Sequence, residues 1–526
     1  MAWPDPIPWP ARTQKILLAS AFSLILAIGI FSRAWEFGTL PPGLNWDEMA
    51  TAVDAFSLSR YGMDRNGVSW PVHFTSFGNG QSTLYGYLLS PLVSVGGLTP
   101  FVIRLPALIA GILTLPLIYL LGKQLFGKTF GLSAMFVLAI SPWHITISRW
   151  ALESNLLPFT FAIGFFCLLK SQANNRWFIL ACVFFGASLY TYGGAYAALP
   201  VFLLLTLPLW LHNRRVSIKT LVWGLLALAV IATPIVLYVA INYFKLPSIR
   251  LGPVTIPRLP ALPWFQVASA PFQGNIFQEL LNNVKTLLGL LYRRTDAWPW
   301  NTVKPFGYFY SFTLPIVALG CILLLPLKNT SQRLEKYALF CWLAASLLIG
   351  VLEQADINRI NLVFIPLFLF YAGVLAFLWK YAKPGLVIGI CLLLANFASF
   401  TQVYHGAGYQ AEAAPRFYAG LIPALEYARN ATSGAICITS YTDETYPLFV
   451  ILVEKTNPAL ALGRLGPEGP QWSPDPTRTI GRYYFRTADC QDNPQAFYIL
   501  KGNETPPSKE ISYKTTQFDV YKVYQP

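Results

Sequence analysis

Asp47 and Glu48 stand side by side in the run Pro41-Pro42-Gly43-Leu44-Asn45-Trp46-Asp47-Glu48, just past the first long apolar segment of a 526-residue chain. Adjacent carboxylates where a hydrophobic helix leaves a membrane are costly unless they are solvated, cap a helix or do chemistry. The pair is followed by Asp54, Arg60, Asp64, Arg65, His73 and Gln81. Three further polar clusters lie between apolar segments: Ser148-Arg149 with Glu153 and Asn155, Tyr190-Thr191-Tyr192 with Tyr196, and Glu353-Gln354-Ala355-Asp356-Ile357-Asn358-Arg359. Between them they hold carboxylates for proton transfer, arginines for a phosphate and aromatic rings for stacking.

Transfer of a sugar from a lipid phosphate to a hydroxyl needs those three parts. A carboxylate takes the acceptor proton, and cations offset the charge left on the departing phosphate. Asp47 suits the base, with Glu48 orienting groups or holding a metal. Arg149, Arg359 and Arg65 are the candidates for the donor phosphate. His73, Gln81, Tyr85, Glu153, Asn155, Tyr190, Tyr192 and Asp356 are the candidates for the sugar or substrate. These residues single out no certain cofactor; a divalent metal is the possible one, and it would need Asp47, Glu48 and His73 to meet in space. Each assignment has a plainer competitor. The acidic pair suits a helix start, Arg149 can snorkel to headgroups, Arg359 can pair with Asp356, and the tyrosines can form an interfacial belt.

The elements that must position these residues are mostly membrane helices. The chain is 55% hydrophobic and 12% charged, with a mean hydropathy of +0.47, a balance that points to an integral membrane protein. No cleavable signal peptide is evident, and the first apolar run reads as a span. Apolar segments near 14–35, 101–122, 129–147, 156–172, 177–193, 196–211, 218–242, 307–327, 337–352, 359–379 and 384–400 suggest about eleven spans. With the N-terminus in the cytoplasm, the inside loops collect Arg12, Lys15, Lys123, Lys128, Lys170, Arg176, Arg214, Arg215, Lys219, Lys328, Arg333, Lys336, Lys380 and Lys383, against Asp5 and Glu335. That asymmetry sets the orientation and leaves the C-terminus outside. It also accounts for the net charge of +14 without any nucleic-acid partner. The short apolar segment 84–98, which contains Pro91, reads as a helix at the outer interface.

The expected architecture is a polytopic α-helical membrane domain over 1–400 and a small soluble α/β domain over 401–526. The first domain has two long outer loops, 36–100 with interfacial helices and 243–306. Alternating runs such as Ala435-Ile436-Cys437-Ile438 and Phe497-Tyr498-Ile499-Leu500 read as strands of the second. Cys437 and Cys490 fall in that region and are able to pair if it faces an oxidising compartment.

With these residues located, the chain resembles the GT-C class of polytopic glycosyltransferases, and within it the protein O-mannosyltransferase and aminoarabinose-transferase branch. The resemblance is carried by Leu40-Pro41-Pro42-Gly43-Leu44-Asn45-Trp46-Asp47-Glu48, Gln81-Ser82-Thr83-Leu84-Tyr85-Gly86-Tyr87, Ile103-Arg104-Leu105-Pro106-Ala107-Leu108, Tyr119-Leu120-Leu121-Gly122 and Ser141-Pro142-Trp143-His144 through Ser148-Arg149. It implies an outward-facing site, a polyprenyl-phosphate-linked monosaccharide donor and an inverting mechanism. The acid at the position of Asp47 would be the base and Glu48 would assist. The aminoarabinose-transferase pattern has a lysine for the donor phosphate where Gln81 and Ser82 stand, which shifts that role toward Arg149 or Arg359.

The partners this implies are the lipid-linked donor, membrane lipids and an acceptor lipid, glycan or protein; the family branch points to a bacterial inner membrane. A lipid-diphosphate-linked glycan polymerase or ligase also needs an outside pocket with arginines. A lipid or glycan transporter is disfavoured, because the spans are nearly free of charge and no internal repeat is visible.

Overall fold

Runs of Leu, Ile, Val and Phe with charge confined to their ends fold as helices in hydrocarbon, where backbone groups have only one another to bond. The computed structural model describes residues 11–327, 332–439, 445–466, 469–470, 477–490, 493–507 and 511–526. It has a helix in each of the eleven expected segments: Ala11–Ala34, Pro100–Phe126, Lys128–Ala139, Leu157–Lys170, Arg176–Ser188, Ala195–His212, Ile218–Tyr243, Thr313–Leu323, Arg333–Leu352, Phe364–Tyr381 and Lys383–Tyr404. Among the described residues, seven helices are long and apolar enough to cross a membrane. Lys128–Ala139, Leu157–Lys170, Arg176–Ser188 and Thr313–Leu323 are shorter than the ~20 residues a crossing needs. Asp5 and Lys328, used for orientation, lie outside the described residues.

The chain divides into two compact units that alternate along the sequence. One comprises Met1–Phe37, Ala107–Ile235 and Phe265–Gly406; the other comprises Gly38–Pro106, Val236–Trp264 and Ala407–Pro526. The first outer loop therefore shares a unit with the C-terminal region.

In the first unit, Phe364–Tyr381 lies at the centre, packed by Lys128–Ala139, Thr313–Leu323, Arg333–Leu352 and Lys383–Tyr404. Close approach there depends on small residues, since a Cβ at Gly320 would fall 2.0 Å from the Phe370 carbonyl oxygen. Arg12–Ala34, Ile218–Tyr243 and Lys383–Tyr404 leave most of their apolar surface uncovered, as lipid-facing spans do. Two buried arginines bond the carbonyls that helix ends leave open. Arg33 donates to Gly29 at 2.8 Å, Leu138 at 3.0 Å and Ala139 at 2.9 Å, and meets His144 Nδ1 at 2.7 Å. Arg149 donates to the carbonyls of Ser32, Arg33 and Glu36.

In the second unit, Trp46–Tyr61 packs on Leu84–Gly96 and on the C-terminal helix Thr445–Glu454. Leu84–Gly96 has 13 residues with Pro91 inside, too short for a span. A six-stranded sheet has the order Lys514–Phe518, Tyr521–Gln525, Phe497–Lys501, Ile436–Ile438, Tyr483–Tyr484, Thr479–Ile480. Ile436–Ile438 runs parallel to both of its neighbours. Cys437 and Cys490 form a disulfide beneath this sheet, among Ala496, Tyr498 and Leu500.

The loop before Trp46–Tyr61 is seated on residues 417–419. Gly43 has φ +77°, and a Cβ there would fall 2.1 Å from the Phe417 carbonyl oxygen. Gly43→Ala is expected to cost more than ~1 kcal/mol, because it combines a left-handed backbone with a backbone clash. A lowered melting temperature of the purified protein would report it; an unchanged one would mean that 417–419 does not hold this loop.

Candidate functional site

The acidic pair opens the helix Trp46–Tyr61, and its two members have separate surroundings. Asn45 caps the helix by accepting from the Asp47 N–H at 3.0 Å, while Glu48 Oε2 accepts from the Asn45 N–H at 2.9 Å. This reciprocal pattern is a capping box. Glu48 is fully buried and also binds Arg104, whose Nε lies 2.8 Å from Oε1 and Nη2 2.9 Å from Oε2. Arg104 spends its other donors on the carbonyls of Pro41 at 2.8 Å and Gly43 at 2.7 Å, and lies over the Phe417 ring. Glu48 is thereby consumed in fixing the turn. Asp47 and Trp46 remain half-buried, on a helix N-terminus that favours negative charge.

The other expected residues of this unit are spent on structure. Arg65 is fully buried, with Nη1 2.5 Å from Asp54 Oδ2 and Nη2 2.9 Å from Ser76 Oγ. Handing Arg65 to a phosphate would take its guanidinium from Asp54 and Ser76. Tyr85 is equally enclosed, its phenol bonded to the Ile103 carbonyl at 3.0 Å, and has no ring face for a sugar. His73 stacks on Tyr238 with ring centres 4.2 Å apart, and its Nδ1 lies 3.2 Å from the Phe74 carbonyl. Burial lowers the imidazole pKa to about 4 and keeps it neutral. Gln81 is buried in the short strand paired with His73-Phe74. Asp47, Glu48 and His73 do not suit a metal: Glu48 is neutralised by Arg104, and His73 is turned into its own packing. Among the described residues no three His, Cys, Asp or Glu side chains gather as a metal site.

In the first unit the structure brings three of the expected clusters together. Glu353, buried at the end of Arg333–Leu352, accepts from Tyr192 and Ser269, and Glu153 and Asp356 lie close enough to act on Tyr192. Arg359 Nε lies 3.2 Å from Asp356 Oδ2, with both side chains about one-fifth exposed (20% and 21%). Asp296, which sequence reasoning missed, anchors this turn through the N–H of Ile357 at 3.1 Å and the amide of Asn301 at 2.6 Å. Burial raises the Asp296 carboxyl to about 6 and raises Glu353 and Asp356 as well, against the pull of Arg359 on the latter two. Asn155 is buried and tied to Trp150 and Asn361. Tyr190 donates to the Ile231 carbonyl at 2.8 Å, so its hydroxyl is committed too.

Arg149 is fully buried against the end of the first helix and over the Tyr404 ring at 5.3 Å. Moving it to a phosphate would take donors from the carbonyls of Ser32, Arg33 and Glu36. The expectation of headgroup snorkelling fails for the same reason. Arg104 was also missed as a functional residue, although a cation at the start of an apolar span signals a buried partner. Asn361, which joins Trp143, Ser154 and Asn155, gave no such signal.

Residues 81–238 match the family described as dolichyl-phosphate-mannose-protein mannosyltransferase. No curated protein matches the chain. Solved structures similar to it include ArnT from Cupriavidus metallidurans bound to undecaprenyl phosphate, with a TM-score of 0.54 and 13% identity over 98% of each chain. They also include the archaeal oligosaccharyltransferase AglB from Archaeoglobus fulgidus in complex with an inhibitory peptide and a dolichol-phosphate. There the TM-score is 0.50 at 14% identity, over 84% of this chain and 64% of that one. At such identities the likeness is one of fold.

Two outcomes follow from the buried charges. Arg104→Leu takes the cation away from the buried Glu48 and is expected to cost ~3–5 kcal/mol, read as a fall in melting temperature that Glu48→Leu added to it largely reverses. Failure of the second substitution to recover stability would remove the ion pair as the cause. Asp64 is buried beside Asp54, with Arg65 and Tyr87 also near. Burial first, then the Asp54 charge, raises its carboxyl from 3.8 to about 7. The folded chain keeps a proton that the unfolded chain releases, so this group lowers stability as pH rises from about 4 to about 7. Asp64→Asn keeps the Oδ1 acceptor for Asn66 and Val68 and should flatten that part of a melting-temperature profile; an unchanged profile would contradict it.

Proposed function

We propose that this chain, a polytopic membrane protein with the GT-C glycosyltransferase fold, is an inverting glycosyltransferase. It moves a monosaccharide from a polyprenyl-phosphate donor to an acceptor hydroxyl, with Asp47 as the general base. The observation that carries this reading is the division of labour within the acidic pair. Glu48 is locked by Arg104 and Asn45, while the neighbouring Asp47 is held half-buried on a fixed helix N-terminus. The family match over 81–238 and the likeness to ArnT bound to undecaprenyl phosphate support a lipid-phosphate donor.

In the transfer step, an Asp47 carboxylate oxygen takes the proton of the acceptor hydroxyl. The acceptor oxygen then bonds to the anomeric carbon on the face opposite the phosphate. The carbon–oxygen bond to the phosphate breaks, and its electron pair leaves with the lipid phosphate, so configuration inverts. A preorganised cation lowers the cost of that departing charge. Of the three arginines expected to bind phosphate, Arg65 and Arg149 are fully buried, while Arg359 is one-fifth exposed (20%) beside Asp356.

The site is assigned to the extracytoplasmic face of the membrane, with the N-terminus in the cytoplasm. Supporting this, the loops holding Gln172, Arg215 and Glu335 gather at one end of the first unit. The loops holding Glu153, Tyr192 and Glu353 gather at the end across Leu157–Lys170. The Cys437–Cys490 disulfide suits an oxidising compartment for the C-terminal region. A bacterial inner membrane fits this arrangement, and the acceptor is a lipid, glycan or protein.

Asp47→Asn removes the base and little volume, so it is expected to lower transfer at least ~10²-fold while donor binding persists. Purified protein in lipid, given radiolabelled polyprenyl-phosphate hexoses or pentoses and an acceptor extract, reads both. A variant that loses donor binding but turns over bound donor normally would overturn the base assignment. No consumption of any monophosphate donor by the unaltered protein would favour diphosphate-linked donors or transport.

A further inference from the structure

The helix Ile276–Arg293 lies within the segment 243–306, between spans, and is strongly two-sided. At 100° per residue, Ile276, Phe277, Leu280, Leu281, Val284, Leu287, Leu288, Leu290, Leu291 and Tyr292 fill one broad arc. Gln278, Glu279, Asn282, Lys285 and Arg293 fill the remainder. Only part of the apolar arc is used inside the protein. Asn283, Leu287 and Leu290 are buried, whereas Phe277 is 79% exposed, Leu288 60% and Tyr292 81%. The uncovered flank is a contiguous stripe along the length of the helix, not a scatter of single residues.

The contacts of the buried edge fix the level of this helix against the membrane. Asn283 Nδ2 donates to the Val351 carbonyl at 3.1 Å, and a Cβ on Gly350 would fall 2.8 Å from Leu287 Cδ1. Residues 350 and 351 close the candidate span Arg333–Leu352. The far end is tied down as well. The Tyr308 hydroxyl donates to the Leu291 carbonyl at 2.6 Å and the Tyr308 N–H to the Arg294 carbonyl at 2.9 Å, shortly before the apolar helix Thr313–Leu323 begins. The middle and the end of the helix thus both sit where membrane helices reach water. The polar residues occur at intervals from Gln278 to Arg293, and a helix crossing ~30 Å of hydrocarbon does not carry such a stripe.

We infer that Ile276–Arg293 is an in-plane membrane helix whose Phe277, Leu281, Leu288 and Tyr292 flank is embedded at the headgroup–acyl boundary of the bilayer. Lys285 borders that flank beside Tyr292, where its ammonium reaches the lipid phosphates while its stem covers apolar surface. The occupant is lipid because the stripe lies at the level of a span's end and runs along the whole helix. Through Asn283 and Val351, the helix also braces the chain entering the Glu353–Arg359 turn.

Single cysteines carrying a small fluorophore test this in the full chain, in nanodiscs holding one copy each. The background is Cys321→Ser with Cys391→Ser, which removes the two free cysteines that are not buried. Phe277→Cys and Leu288→Cys are compared with Gln278→Cys and Asn282→Cys, all four at exposed or lipid-facing positions. The first pair is expected to be quenched several-fold more by lipid with a shallow nitroxide than by aqueous iodide, and the second pair the reverse. Iodide quenching of the first pair would place the stripe in water. Protection from both quenchers would place it under protein. Either result overturns the inference, and neither depends on the reaction catalysed.

Discussion

The bidentate contact between Glu48 and Arg104 is the constraint on which the proposed catalytic turn depends. It is an ion pair with both side chains fully buried, so its worth lies in geometry more than in net stability. Arg104 reaches the Pro41 and Gly43 carbonyls at the same time. One guanidinium thus fixes the turn, the capping box and the first residues of the helix. Asp47 inherits a fixed backbone from a neighbour that has no remaining donor-free oxygen to offer. An Asp and a Glu adjacent in sequence are separated into a half-buried one and a fully buried one by which face of a single helical turn each occupies.

The same accounting explains why arginine is used so heavily inside both units. A helix end buried in apolar surroundings leaves carbonyls that water cannot reach. Arg33 and Arg149 supply several donors each at a chain crossing where the first helix, the segment after Ala139 and the segment after Ile147 meet. A lysine would offer a point charge without the planar fork needed to bond carbonyls on different elements. In the second unit Arg65 does comparable work for Asp54, Ala50 and Ser76. These cations serve the backbone, and their burial follows from that service.

How much of this was legible in the sequence depended on whether the signal was local. The apolar segments were legible because hydropathy needs only consecutive residues, and a helix stands in each. The capping of Trp46–Tyr61 was legible as an alternative to chemistry for Asp47-Glu48; in the structure Glu48 takes part in the cap and Asp47 stands half-buried beside it. The fates of Arg149 and Arg65 were not legible. Arg149 finds its carbonyls 113 to 117 residues away, and no local pattern encodes that pairing. Asp296 and Asn301 sit in a loop without periodicity, so nothing marked them until the Ile357 N–H was found on Asp296. The gathering of Glu153, Tyr192 and Glu353 followed from loop alternation, because loops at one end of a helical bundle have few places to go.

The distinction between a scaffold cation and a working one can be argued from burial. A fully enclosed arginine that lets go of its partners leaves carbonyls or a carboxylate stranded, at a cost of ~3–5 kcal/mol for a buried pair. A substrate phosphate would have to exceed that cost before any of its binding showed. A solvent-exposed pair is worth only ~0–1 kcal/mol, because water takes over as the partners separate. Arg359 and Asp356, each about one-fifth exposed (20% and 21%), lie between these limits. Burial raises the Asp356 carboxyl, against the pull of Arg359. Some exposure of both partners is what the buried arginines lack.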